Sequence, residues 1–140
     1  MQEAALLAGA AFTRAYVGNI HAIAHSLGGR YGTPHGLANA VIMPYVLEDY
    51  GQAIERPMAE LSIVAGIGTR NHSAAQNAAS LLAAFKKLNA DFGIPEKIDD
   101  LKDADIPILV KNALKEANPL YPVPLIYGYE NMEKIYQKIL

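Results

Sequence analysis

Three of the chain's four histidines, His21, His25 and His35, fall within the stretch GNIHAIAHSLGGRYGTPHGLANA, residues 18–40. Imidazole is the commonest metal ligand and the side chain best suited to moving protons near neutral pH, so this clustering raises both chemistries. His21 and His25 stand four apart, which on a helix sets both rings on one face. Taken alone, that pair favours no metal. His35 follows Pro34 at what reads as a helix N-terminus, after Gly28, Gly29 and Gly32, which are expected to form a turn. Such a turn folds the backbone back and lets the ring of His35 meet that of His21. The plainer alternative is that all three are polar helix-end residues bonded to carbonyls. His72 has no companion and is assigned to the surface.

The elements that must hold these rings read as helices almost throughout, with no convincing alternating strand. From Met1 to about Val17, Ala5, Ala8, Phe12, Ala15 and Tyr16 recur at helical spacing. A second helix is expected over His35 to about Tyr50, with Leu37, Ala40, Val41, Pro44 and Leu47 as its apolar positions and a kink at Pro44. Pro57 suits the first turn of a third, whose core face would be Met58, Leu61, Val64 and Ala65. Ser73 with Gln76 reads as a capping box opening a helix with the stripe Leu81, Leu82, Phe85, Leu88 and Phe92, ended by Gly93 and Pro95. Asp105 is placed to cap a fifth, with Pro107 in its first turn, running through Ile108, Val110 and Leu114 to Ala117. Three prolines make NPLYPVPLIYG irregular, and a last helix covers about Asn131 to Leu140.

Bulk composition sets the class. A chain of 140 residues, 51% hydrophobic and 19% charged, is the size and make-up of one packed domain. Its net charge of −2, with no Lys/Arg cluster, offers no basic stripe for nucleic acid or an anionic membrane surface. There is no cysteine, so neither a disulfide framework nor a thiolate metal site is available, which fits a reducing cytoplasm. No basic leader follows Met1, and no apolar run approaches the ~18 residues of a membrane span.

The stretch HAIAHSLGGRYGTPHGLANAVIMPYV resembles, position by position, the signature of the iron-containing (group III) alcohol dehydrogenases. The flanking EAALLAGAAFTRAYVG and the later DIPILVKNALKEANPLYPVP are similar to the same family's C-terminal region, so the likeness covers most of the chain. The resemblance implies an all-α fold, the helical C-terminal domain of the dehydroquinate synthase-like, iron-containing alcohol dehydrogenase type, over residues 1–140. It assigns metal ligation, to Fe²⁺ or Zn²⁺, to His21 and His35. It sets His25 against the nicotinamide and the substrate, as the cofactor-facing proton relay. The implied reaction is oxidation of a small alcohol, or reduction of the aldehyde, with NAD or NADP.

Parts of that family's machinery are missing from these residues. No D-x-x-x-H pair completes a metal shell, and no Gly-Gly-Gly-Ser turn marks a dinucleotide domain; GIGTRN at Gly66 has two of the glycines a G-x-G-x-x-G fingerprint needs, with no strand before it. The expectation is therefore a C-terminal part of a longer enzyme, inactive alone, whose uncovered face around Ile20, Ile23, Leu27 and Leu37 drives homo-oligomer formation. A two-fold dimer is its simplest form, and Gly18 offers a hinge for exchanging the Met1–Val17 helix between copies. A glycerol dehydrogenase-like zinc enzyme and a non-catalytic helical assembly module are the alternatives; the spellings AHSLGG and PHGLANA favour the alcohol dehydrogenase branch.

Overall fold

The computed structural model describes all 140 residues as helices and connecting turns, with no strand. The α-helices are α1 (Gln2–Ala15), α2 (Asn19–Tyr31), α3 (His35–Tyr50), α4 (Glu55–Val64), α5 (Ala74–Asp91), α6 (Ile106–Ala117) and α7 (Tyr129–Lys138), with 3₁₀ turns at Gly51–Ile54 and Asp103–Asp105. Helix α2 packs between α3 and α6, α7 closes over α6 and α3, and the α4–α5 hairpin docks through α5 on α3. One core of 24 buried residues joins them, with Ile23, Leu27, Ile42, Leu109, Met132 and Tyr136 fully enclosed.

Two expectations about the histidine segment are corrected. Gly28 and Gly29 lie inside α2, and only Gly32, at φ 70°, makes the turn, its N–H donating back to the Gly28 carbonyl at 2.9 Å. A left-handed glycine just past a helix satisfies the last carbonyls, so Gly32 sets where α2 stops. Ile23 and Leu27, expected on an uncovered face, are core residues with no exposure; Ile20 and Leu37 are half-buried.

Helix α3 runs unbroken through Pro44. Proline has no N–H, so the Ala40 carbonyl four residues back loses its helical partner. Asn89 of α5 replaces it, donating from Nδ2 to the Ala40 oxygen at 2.7 Å. The helix tolerates the proline because a side chain from the next layer satisfies the carbonyl it orphans.

Ser73 opens α5 with a reciprocal capping box, accepting from the Gln76 N–H at 3.2 Å while its own N–H donates to Gln76 Oε1 at 2.9 Å. Asp105 stands at the N-cap of α6 but makes no capping bond. Its carboxylate instead accepts from Arg30 Nη2 and the Tyr31 hydroxyl, each at 2.7 Å, which ties the end of α2 to the start of α6. Arg30 and Tyr31, unlike an N–H of its own helix, connect Asp105 across the interface, and that contact is the one the fold uses.

Several expected core positions face outward. Leu61 and Val64 are exposed on α4, where Met58, Ala59 and Ser62 are buried instead, and Ala65 is exposed beyond its end. Leu88 and Phe92 are exposed at the far end of α5, and Ile108 on α6. Helix α1 buries no residue, and Leu6 and Leu7 are 73% and 70% exposed. It ends at Tyr16, whose φ of 61° is a left-handed value uncommon outside glycine.

Candidate metal centre

Helix α2 buries the stripe Ala22, Ile23, Ser26 and Leu27 and carries His21 and His25 beside it. The turn through Gly32 brings α3 back so that His35, its first residue, lies against the same surface. All three rings meet: centroids are 5.2 Å apart for His21–His35, 5.2 Å for His25–His35 and 5.8 Å for His21–His25. Two imidazoles sharing a tetrahedral ion at ~2.1 Å per bond have centroids roughly 5 Å apart, so this spacing suits a shared metal. No set of three or more His, Asp or Glu side chains closes on one point within the chain. These residues therefore fit part of a metal shell. Spacing alone does not say which two of the rings belong to it.

The neighbours of each ring differ. Burial, then the adjacent His35 and His25 rings, hold the His21 pKa below its ordinary value, which favours the neutral, ligand-competent form. Asn39, one helical turn after His35, donates from Nδ2 to the His35 carbonyl at 2.8 Å and to its ring Nε2 at 3.1 Å. His25 is engaged differently: its Nδ1 lies 2.6 Å from Oε1 of Glu116 on α6, and the Tyr121 hydroxyl donates to the same oxygen at 2.6 Å. Burial first, and then the Glu116 contact, push the Tyr121 pKa up to about 12, so its hydroxyl remains a donor.

The histidines are flanked by two openings. A cleft of about 410 Å³ runs along α2 and α6, lined by His25, Arg30, Asn112 and Glu116 with Ile108 and Leu109. A second, of about 250 Å³, lies beside His21 among Tyr16, Ile20, Tyr50 and Pro122. A third, of about 210 Å³ between α3 and α5, contains no histidine. His72 is exposed in the α4–α5 loop, away from the cluster.

That loop also accounts for GIGTRN. Asn77 Oδ1 accepts from the Thr69 N–H at 3.0 Å and Nδ2 donates to the Thr69 carbonyl at 2.9 Å. Gly68 is pressed so closely on Asn77 and Ser62 that a Cβ there would collide with both. The glycine serves packing, and the loop joins two helices where a dinucleotide turn needs a strand before it.

Asn39, Glu116 and Tyr121 were not found by sequence reasoning. Asn39 carried a local signal, its i+4 spacing from His35. Glu116 lies 91 residues from His25 and carried none beyond its place in the segment DIPILVKNALKEANPLYPVP.

The sequence model described as the Fe-containing alcohol dehydrogenase family, C-terminal, matches residues 1–140. A 1,3-propanediol dehydrogenase of Citrobacter freundii is 42% identical over 120 residues, spanning 84% of this chain and 31% of that protein. An NAD-dependent methanol dehydrogenase of Bacillus methanolicus is 33% identical over 118 residues, spanning 83% of this chain and 31% of that one. The crystal structure of a 1,3-propanediol oxidoreductase superposes with a TM-score of 0.88 at 34% identity, over 96% of this chain and 36% of that chain. The chain spans about a third of the length of the curated relatives it matches.

Proposed function

The chain belongs to the Fe-containing alcohol dehydrogenase family, and from that premise we propose that it supplies two histidine ligands and a proton-handling histidine to an enzyme that interconverts a small alcohol and its aldehyde with NAD or NADP. The observation that carries this reading is the meeting of His21, His25 and His35 from two helices. The relatives' names, a propanediol dehydrogenase and an NAD-dependent methanol dehydrogenase, support the substrate class and the nicotinamide.

On this reading His21 and His35 would hold Fe²⁺, and their imidazole nitrogens suit Zn²⁺ equally well. When bound, the ion supplies Lewis acidity, lowering the pKa of an alcohol hydroxyl by several units. His21 meets the requirement for a neutral ring through burial and its imidazole neighbours. Asn39 reaches His35 at both its carbonyl and its ring Nε2, and the ring contact orients the imidazole that would hold the ion. His25 would take the hydroxyl proton. The residues present do not build a dinucleotide site: there is no strand, and the one glycine pair resembling a fingerprint packs a helical hairpin. On this reading residues 1–140 are the helical metal-site part of a longer enzyme, which their span of about a third of the relatives' length supports, and other residues complete the shell and hold the cofactor.

Alcohol-dependent reduction of NAD or NADP tests this directly. The enzyme containing this chain, loaded with Fe²⁺ or Zn²⁺, should turn over a primary alcohol or diol, and the 140 residues alone should not. Turnover by the purified 140 residues would overturn the assignment of cofactor and remaining ligands to other parts of the enzyme.

A further inference from the structure

Helices α2 and α6 are tied at both ends. Arg30 and Tyr31 grip Asp105 where α2 ends and α6 begins, and His25 meets Glu116 one turn and more back along α2. Between the ties, Leu109, Val110 and Ala113 of α6 are buried, so the spacing of the two helices is set by packing before any polar bond forms. Within that frame one carboxylate oxygen serves two groups, His25 Nδ1 and the Tyr121 hydroxyl, each at 2.6 Å.

An ionised carboxylate only accepts hydrogen bonds, and Tyr121 donates to this one. The proton between His25 and Glu116 must then sit on Nδ1. In a neutral imidazole the bond made by one nitrogen decides which nitrogen is protonated, and here it leaves Nε2 with its lone pair. The ring so fixed stands 5.2 Å from His35 and 5.8 Å from His21. We propose that Glu116 is a positioning residue that locks His25 as the Nδ1–H tautomer, leaving Nε2 bare to accept a proton, and that Tyr121 holds the Glu116 carboxylate in place to do so. Carboxylates standing behind functional histidines orient the ring and raise its basicity in the same way. The kinetic consequence rests on the reading of His25 as the group that takes the substrate proton; the tautomer does not.

Long-range ¹H–¹⁵N spectra of the metal-free chain, labelled at histidine, read the tautomer without any activity. The wild type should show His25 with Nδ1 protonated and Nε2 bare. Glu116→Ala should shift the ring toward the Nε2–H form that free imidazole side chains prefer, and Tyr121→Phe, which loosens the carboxylate, should shift it in the same direction by less. An Nε2–H tautomer in the wild type overturns the proposal whether or not the variants fold, and so does an unchanged tautomer in folded Glu116→Ala. In the metal-loaded enzyme Glu116→Ala should lower kcat by about 10–100-fold with KM for the alcohol unchanged. An unchanged kcat would remove the positioning role. A wild-type enzyme that oxidises no alcohol yet shows Nδ1–H at His25 would count against the dehydrogenase reading and for the tautomer lock.

Discussion

Replacing Asn89 by alanine should expose how α3 accommodates Pro44. The Asn89 amide donates at 2.7 Å to the Ala40 carbonyl, which Pro44 leaves without its helical N–H. Removing one partner of a buried hydrogen bond costs about 1–3 kcal/mol, because the other keeps its desolvation penalty. Pro44 and Asn89 line an open cleft of about 210 Å³, so water reaches the carbonyl in part and the cost belongs in the lower half of that range, about 1–2 kcal/mol. Pro44→Ala supplies an N–H at that position, and in that background Asn89→Ala should cost within about 0.5 kcal/mol, as an ordinary surface change does. The coupling between the two sites is then about 0.5–2 kcal/mol. Urea unfolding of the four proteins, followed by far-ultraviolet circular dichroism, measures it. If Asn89→Ala costs the same in both backgrounds, the amide does not substitute for the missing N–H and the account of α3 fails.

Leu27→Ala, at a fully enclosed core position, should cost about 2–5 kcal/mol in the same unfolding assay, whereas Leu7→Ala on the uncovered α1 should stay within about 0.5 kcal/mol in protein dilute enough to be monomeric. Glu48 is held below the ordinary carboxylate range by its 3.0 Å bond to Lys86, with Lys138 assisting against a smaller desolvation effect. A depressed carboxylate contributes stability that is present above its unfolded pKa, about 4.3, and lost as pH falls through the lower folded value. Glu48→Gln should therefore destabilise the chain slightly at pH 7, by an amount kept small by exposure, and not at about pH 2; a loss that persists at about pH 2 would refute the linkage. The uncovered apolar side chains of α1, Leu6, Leu7 and Phe12, should make the isolated chain self-associate, and sedimentation equilibrium showing a clean monomer at tens of micromolar would contradict that.

The helical class and most element positions were legible because strong local signals carry them. Ser73 with Gln76, Pro34 before His35 and Gly93 after Asp91 mark helix ends through bonds made within a few residues. The inner boundary of α2 was not legible, since Gly28 and Gly29 look like a turn and are held helical by the packing of Ile23 and Leu27 on the core. Periodicity identified apolar stripes but not how far each is covered: Leu81 is buried while Leu88 and Phe92, on the same stripe toward the far end of α5, are exposed. Asp105 has the right residue type and place for a cap, and its use as a clamp depends on Arg30 and Tyr31 arriving from another helix. At the site, the three histidines and their meeting were readable from spacing and resemblance. Glu116 and Tyr121 were not, because their contact with His25 exists only once α6 has packed on α2.

Metal analysis of the enzyme containing this chain, purified as wild type and as His21→Ala, His35→Ala and His25→Ala, addresses the central claim most directly. Removing His21 or His35 should leave the protein folded and without its metal. Removing His25 should leave the metal bound while turnover falls. If His25→Ala loses its metal as completely as His35→Ala, the division of the three rings into two ligands and one proton carrier is wrong.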